Sequence, residues 1–125
     1  MVSASRNKKG RYKLDLTLSG RLKITADRTI ANTKDLEVLV IAGGEIEPIN
    51  IAKDKKVIDW IKAIDKKTIY TTSVCNGAWI LGATGLLKGK NATGHWYQAD
   101  ELLSHFGALP HPEQRYIFDG KNCHS

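Results

Sequence analysis

The sequence predicts an α/β domain built on a mostly parallel sheet, and two observations carry that prediction. A short apolar run at residues 38–42 and a β-branched run at 68–74 flank a segment whose apolar residues recur at helical spacing. Each run ends in a turn with glycine, Gly43-Gly44 after the first and Cys75-Asn76-Gly77 after the second. Strands alternating with helices across short turns imply parallel strands and a layered α/β sheet.

Met1 to Ser5 reads as the end of a strand running into a basic turn at Asn7–Gly10. Leu14, Leu16 and Leu18 alternate with Lys13, Asp15 and Thr17, the pattern of a half-buried strand. Ser19-Gly20 is a turn, and residues 22–25 pair back as a hairpin. Residues 27–34 are polar and read as loop. Val38 to Ala42 is a continuous apolar run, the signature of a strand covered on both faces. Val57, Ile58, Ile61 and Ile64 mark a helix, with Lys55, Lys56, Asp59 and Lys62 on its wetter face. Residues 68–74 form a second buried strand. Residues 77–84 are apolar nearly all round, as in a buried helix. Residues 91–93 are a short strand. Residues 99–106 are a third helix, stopped by Gly107 and Pro110. Residues 115–118 form a last strand, with a turn at Asp119-Gly120. Such a turn should lead into a partner strand, yet Lys121 to Ser125 has neither the length nor the apolar pattern to make one.

With 125 residues the chain suits one domain, and 42% hydrophobic with 26% charged residues is ordinary for a globular protein. Its longest apolar run is too short to cross a bilayer, so no membrane partner is expected. Two cysteines make no disulfide framework and no repeated Cys/His metal spacing, which points to a reducing, cytoplasmic setting with neither metal nor cofactor. The net charge of +6 arises from basic clusters far apart in sequence and partly interleaved with acids. A nucleic-acid partner is therefore not expected.

Ser73-Val74-Cys75-Asn76-Gly77 has the layout of a nucleophile elbow, with Ser in place of the first glycine of Gly-x-Ser-x-Gly and Cys in place of its serine. A strand climbs to one reactive side chain, a tight turn exposes it, and a helix follows. Cysteine suits the position because the thiolate is the nucleophile and amides at a helix start favour it. A small buried core cysteine is the alternative. Attack on a carbonyl-like electrophile also needs donors for the developing charge. Gly43-Gly44 follows the neighbouring strand at its carboxyl end, where open α/β sheets hold their sites. The amides of Gly44 and Asn76 are thus candidates for an oxyanion hole. His95, after the short strand, is a candidate to orient or protonate, with a packing histidine the equal alternative. His105 reads as helix surface and His111 as loop. Glu45 reads as a solvated loop carboxylate rather than a pocket acid.

Several segments together resemble the ThiJ/PfpI family of the class I glutamine amidotransferase-like superfamily. Residues 36–44 resemble its "D-x-L-x-V-P-G-G" segment, and Ser73 to Ala78 its elbow. Residues 82–96 resemble "A-G-L-L-D-G-R-x-A-T-T-H-W", and Arg115 to Gly120 resembles "R-Y-V-x-D-G". The motifs fall in the family's order and cover most of residues 36–120. The isonitrile hydratase-like branch, also found as the ligand domain of AraC-type transcription regulators, is the nearest in flavour. The resemblance implies a flavodoxin-like three-layer sandwich, often dimeric, with Cys75 as nucleophile, Gly44 and Asn76 as oxyanion amides and His95 carried over from the "T-H-W" segment. It implies cysteine-dependent hydration, hydrolysis or lyase chemistry on a small substrate. The alternatives are a small-molecule-sensing domain and a redox or stress-response protein. Ala42 replaces the family's proline. Asn76 stands where peptidase-like members carry histidine. The family's first strand and helix, with the acid that contacts the cysteine, would precede Met1, and its last elements would follow Gly120. The sandwich is therefore expected to be incomplete, a single partial domain over 1–125, and its catalytic competence reduced.

Overall fold

Backbone pairing divides the chain into units at residues 1–36 and 37–125. The computed structural model describes residues 1–44, 47–93, 104–111 and 113–125, without the side chains of Ser19, Glu47, Cys123 and His124.

In the first unit, β1 (Val2–Ser3) leads into the basic turn. β2 (Asp15–Thr17) and β3 (Lys23–Thr25) form the expected hairpin, with Leu16 opposite Ile24. Its turn places Gly20 and Arg21 at φ of 75° and 61°. The segment at 27–34, read as loop, contains a short β4 (Arg28–Thr29), parallel to β1. A single 3-10 turn, Ile30–Asn32, follows and is closed by a reciprocal capping box between Thr29 and Asn32.

The second unit holds a four-stranded sheet. Its chain order runs β5 (Val38–Ile41), α1 (Glu47–Ala52), α2 (Lys55–Asp65), β6 (Tyr70–Ser73), α3 (Gly77–Ala83), β7 (Asn91–Ala92), β8 (Leu109–Pro110), β9 (Ile117–Asp119) and β10 (Asn122–His124). The sheet order is β5-β6-β10-β9, with β5, β6 and β10 parallel and β9 antiparallel to β10. This is the mostly parallel α/β sheet that the motifs implied. β7 and β8 form a separate parallel pair.

The C-terminal residues correct the sequence reading. Residues 122–124 are a strand, inserted between β6 and β9. Gly120, with φ 62°, opens a two-residue loop in which Asp119 pairs with Asn122, the sign a type II′ hairpin turn requires. The turn signal prevailed over weak local propensity because β10 is hydrogen-bonded on both sides, so its neighbours decide its conformation.

Strand burial also differs from expectation. Along β5, Leu39 and Ile41 are buried, while Val38 and Val40 are 49% and 58% exposed. Tyr70 and Phe118 are exposed too. The register puts Val40, Thr72, Cys123 and Phe118 in one row across the sheet. Among the described residues, the buried strand positions lie on the other face. A continuous apolar run shows that both faces could be buried, and it carries no information on whether a second layer is present.

The covered face is partly polar. Thr71 and Ser73 are buried on it, and the Thr71 hydroxyl donates to Asp65 at the end of α2 over 2.6 Å. Lys121 donates to the Asp65 carbonyl and pairs with its carboxylate at 3.3 Å. These bonds satisfy groups that would be costly to bury alone. α2 buries Val57, Ile61 and Ile64, the apolar stripe read from the sequence. Its N-cap is Asp54, whose side chain accepts from the Lys56 amide at 3.1 Å. Asp54→Ala is expected to lower stability by about 1 kcal/mol, measured by urea denaturation. α3 buries Ala78, Ile80 and Leu81. Its Gly82 admits the Phe106 ring, which meets Trp79 edge-on at 6.4 Å. Most of the third helix, at 99–106, lies outside the described residues. Ser104 and His105 are helical and exposed. His111, read as loop, links two elements: its Nε2 lies 2.9 Å from Asn91 Oδ1, and the Asn91 side chain donates to Asp119.

Candidate active site

β6 delivers Ser73 to the carboxyl end of the sheet, Val74 follows, and Cys75 adopts φ 53°. Left-handed backbone costs a residue with a Cβ roughly 1–2 kcal/mol, so the surroundings must impose it. Three sets of bonds do so. The Val74 amide donates to the Ile41 carbonyl at 3.0 Å, tying the turn to β5. The Cys75 amide donates to the Ser125 carbonyl at 2.7 Å, and the Ser125 amide donates to the Ser73 carbonyl at 3.1 Å. The Gly77 amide donates to the Val74 carbonyl at 2.9 Å and α3 begins. Cys75 is half-buried.

The twin glycines meet the elbow from β5. A Cβ on Gly43 would lie 3.0 Å from both the Cys75 Cβ and the Asn76 amide nitrogen. Gly43 therefore keeps the space beside the thiol-bearing carbon open. The Asn76 side chain donates to the Gly44 carbonyl at 3.0 Å and holds the two loops together. Gly77 allows the closest approach: a Cβ there would stand 2.2 Å from the Ile41 carbonyl oxygen. Among the described residues, neither the Asn76 nor the Gly44 amide is spent on a hydrogen bond.

Of the residues read from the sequence, Cys75, Asn76 and Gly44 come together at the carboxyl ends of β5 and β6. His95 and Glu45 lie outside the described residues. Among the described residues no histidine or carboxylate hydrogen-bonds the Cys75 thiol. Sequence reasoning missed two contributors. Ser125 fixes the Cys75 amide, and the only signal for it was the Asp119-Gly120 turn. The Asn76 side chain acts as a loop tie, which the elbow motif does not specify.

A strand, a left-handed cysteine and a helix facing a glycine loop define the geometry of this α/β protein at residues 73–77. Comparison with known proteins narrows this. Residues 2–123 match the profile of the DJ-1/PfpI family, and the chain belongs to that family. Isonitrile hydratase of Pseudomonas putida is 37% identical over 106 residues, which are 84% of this chain and 45% of that protein. The HTH-type transcriptional regulator CdhR of Pseudomonas aeruginosa is 24% identical over 102 residues, 82% of this chain and 30% of the regulator. A crystal structure of a ThiJ/PfpI family protein from Pseudomonas syringae superposes with a TM-score of 0.84 at 33% identity, covering 99% of this chain and 48% of that one. Schizosaccharomyces pombe DJ-1 shares the fold, with a TM-score of 0.78 at 17% identity over 99% of this chain and 66% of that one. The chain thus spans less than half the length of the curated relatives named here.

Proposed function

We propose that Cys75 is the nucleophile of a cysteine-dependent hydratase- or hydrolase-like reaction on a small electrophile, of the isonitrile hydratase kind. The observation that carries this reading is the φ of 53° at Cys75, a costly conformation held by bonds from β5, Ser125 and α3. A buried structural cysteine needs no such turn. In the proposed reaction on an isonitrile the thiolate sulfur adds to the terminal carbon, a carbon–nitrogen π bond opens and that carbon takes a proton. Water then adds to the resulting thioimidate carbon, a proton passes to the nitrogen, and the carbon–sulfur bond breaks to leave a formamide and the thiol. In this reading the Gly44 and Asn76 amides donate to the oxygen supplied by that water as it carries developing negative charge. Proton transfer falls to His95 or to a carboxylate brought to the thiol. A reducing, cytoplasmic setting that keeps the thiol free belongs to the same reading.

The relation to CdhR, and to the HTH-type transcriptional regulator GlxA of Rhizobium meliloti at 31% identity over 83 residues, favours a second reading. In it the same site binds a small metabolite reversibly. Thiol reactivity separates the two. Iodoacetamide at neutral pH, followed by peptide mass mapping, is expected to label Cys75 at least about tenfold faster than Cys123. Labelling of Cys75 no faster than Cys123 would remove the support for the nucleophile and leave the sensor.

A further inference from the structure

The positive charge of this chain belongs to one of its two units. Nine of the 19 basic residues and three of the 13 acidic ones lie in residues 1–36. The remaining ten of each sign cancel in residues 37–125, so the whole net charge of +6 sits on the smaller unit. Along the sequence the basic clusters look dispersed; it is the division at residue 36 that segregates them. We propose that this unit docks on the phosphate backbone of a nucleic acid through the ribbon at residues 5–13.

The ribbon is a built arm. The Lys13 amide donates to the Ser5 carbonyl at 3.0 Å and the Asn7 amide to the Arg11 carbonyl at 2.8 Å, with Arg6 bridging Tyr12 between them. Asn7 Oδ1 accepts from the amides of Lys9 and Arg11 at 2.9 and 3.0 Å, and Gly10 closes the turn at φ 77°. The Arg6 guanidinium lies 5.1 Å over the Tyr12 ring and donates to its hydroxyl. The polar groups of the turn are thus used to fix its shape. Lys8, Lys9, Arg11 and Lys13 are left exposed, and among the described residues no carboxylate pairs with any of them. Arg11 and Lys13 flank Tyr12 of the Arg6–Tyr12 bridge, and extended backbone there sets them on one face about 6.7 Å apart. Lys8 and Lys9 extend that positive edge around the tip.

The chemistry of the arm selects the partner. An anionic membrane surface also attracts a basic cluster, but firm docking adds apolar groups that enter the lipid; Lys8-Lys9-Gly10 offers none, and the exposed Leu14, Leu18 and Leu22 lie outside the ribbon. Protein interface cores are rich in aromatic residues and poor in lysine, and the arm's one aromatic ring is covered by its own Arg6. A phosphate backbone asks only for positive charges in register and gives no sequence preference.

The test is fluorescence anisotropy of the intact chain with a labelled 20-base-pair duplex across salt concentrations. Four phosphate contacts contribute a slope of about −3.6 in log affinity against log salt. The variant K8A/K9A/R11A/K13A is expected to lose most of that slope and at least about tenfold in affinity at low salt. A control, K53A/K56A/K62A/K66A, removes the same charge from exposed positions of the other unit and is expected to keep the parental slope. K8R/K9R/K13R is expected to bind like the parent, which guards against a folding artefact. Equal losses in the ribbon and control variants would overturn the proposal, leaving net charge alone. So would a parent with no salt-dependent binding, or a parent that binds phosphatidylserine vesicles through the ribbon but not the duplex.

Discussion

Gly77→Ala is expected to unfold the elbow and lower the stability of the second unit by about 3 kcal/mol or more. The added Cβ would lie 2.2 Å from the Ile41 carbonyl oxygen, 3.0 Å from its carbon and 3.1 Å from the Ala42 carbonyl oxygen. All three atoms are backbone, so no rotamer change relieves the contact. Ile41 is buried, and its carbonyl already accepts from the Val74 amide. Either α3 lifts from the sheet or β5 leaves its register. Overpacking costs about 1–3 kcal/mol, occasionally more, and a backbone obstacle belongs at the upper end. Helix propensity acts in the opposite direction, since alanine is favoured over glycine by about 1 kcal/mol within a helix. The sign of the result therefore decides between the two effects. Urea denaturation gives the answer, and a variant as stable as the parent would show that α3 does not pack against β5 as closely as described.

On the proposed reading of Cys75 as nucleophile, Cys75→Ala is expected to abolish isonitrile conversion while sparing the fold. Production of the N-substituted formamide from an isonitrile should fall to background, a loss of at least about 10³-fold by the scale of nucleophile deletions elsewhere. Cys75→Ser should behave alike, because a hydroxyl is a poor nucleophile without a base to activate it. Cys75→Gly is the informative companion. Glycine adopts φ 53° without the Cβ penalty, so this variant should be equally inert yet as stable as the parent, or more stable by up to about 1 kcal/mol. A residue whose removal costs activity and no stability is one held in strain for its chemistry. Formamide production by Cys75→Ala at the parental rate would end the nucleophile assignment.

The parts of the molecule legible in the sequence are those where pattern and local chemistry agree. The α2 stripe of Val57, Ile61 and Ile64, the β2–β3 hairpin and the junction at Cys75 have clear periods bounded by turn residues. β10 was not legible because Asn122 to His124 has no apolar alternation, and its strand state comes from hydrogen bonds to β6 and β9. α1 escaped notice because six residues hold too little periodicity to register, although Pro48 in its first turn was a usable start signal. β8 ends at Pro110, which read as a breaker, but at the end of a short strand proline is tolerated. At the site, the pairing of Gly43-Gly44 with Cys75 followed from their places after neighbouring strands. The Asn76–Gly44 tie did not, since an asparagine side chain has many possible partners and only the fold selects one.

Fifty positions separate Cys75 from Ser125, whose carbonyl receives its amide proton. Closing so long a loop is slow compared with forming the local hairpins and α2, so the turn at Cys75 is expected to be among the last features to assemble. It is also among the first that a local opening would release, because fraying of the β9–β10 hairpin frees that amide while the Leu39–Ile64–Leu81 core stays shut. Labelling of the Cys75 sulfur is then expected to track how firmly one small hairpin is seated.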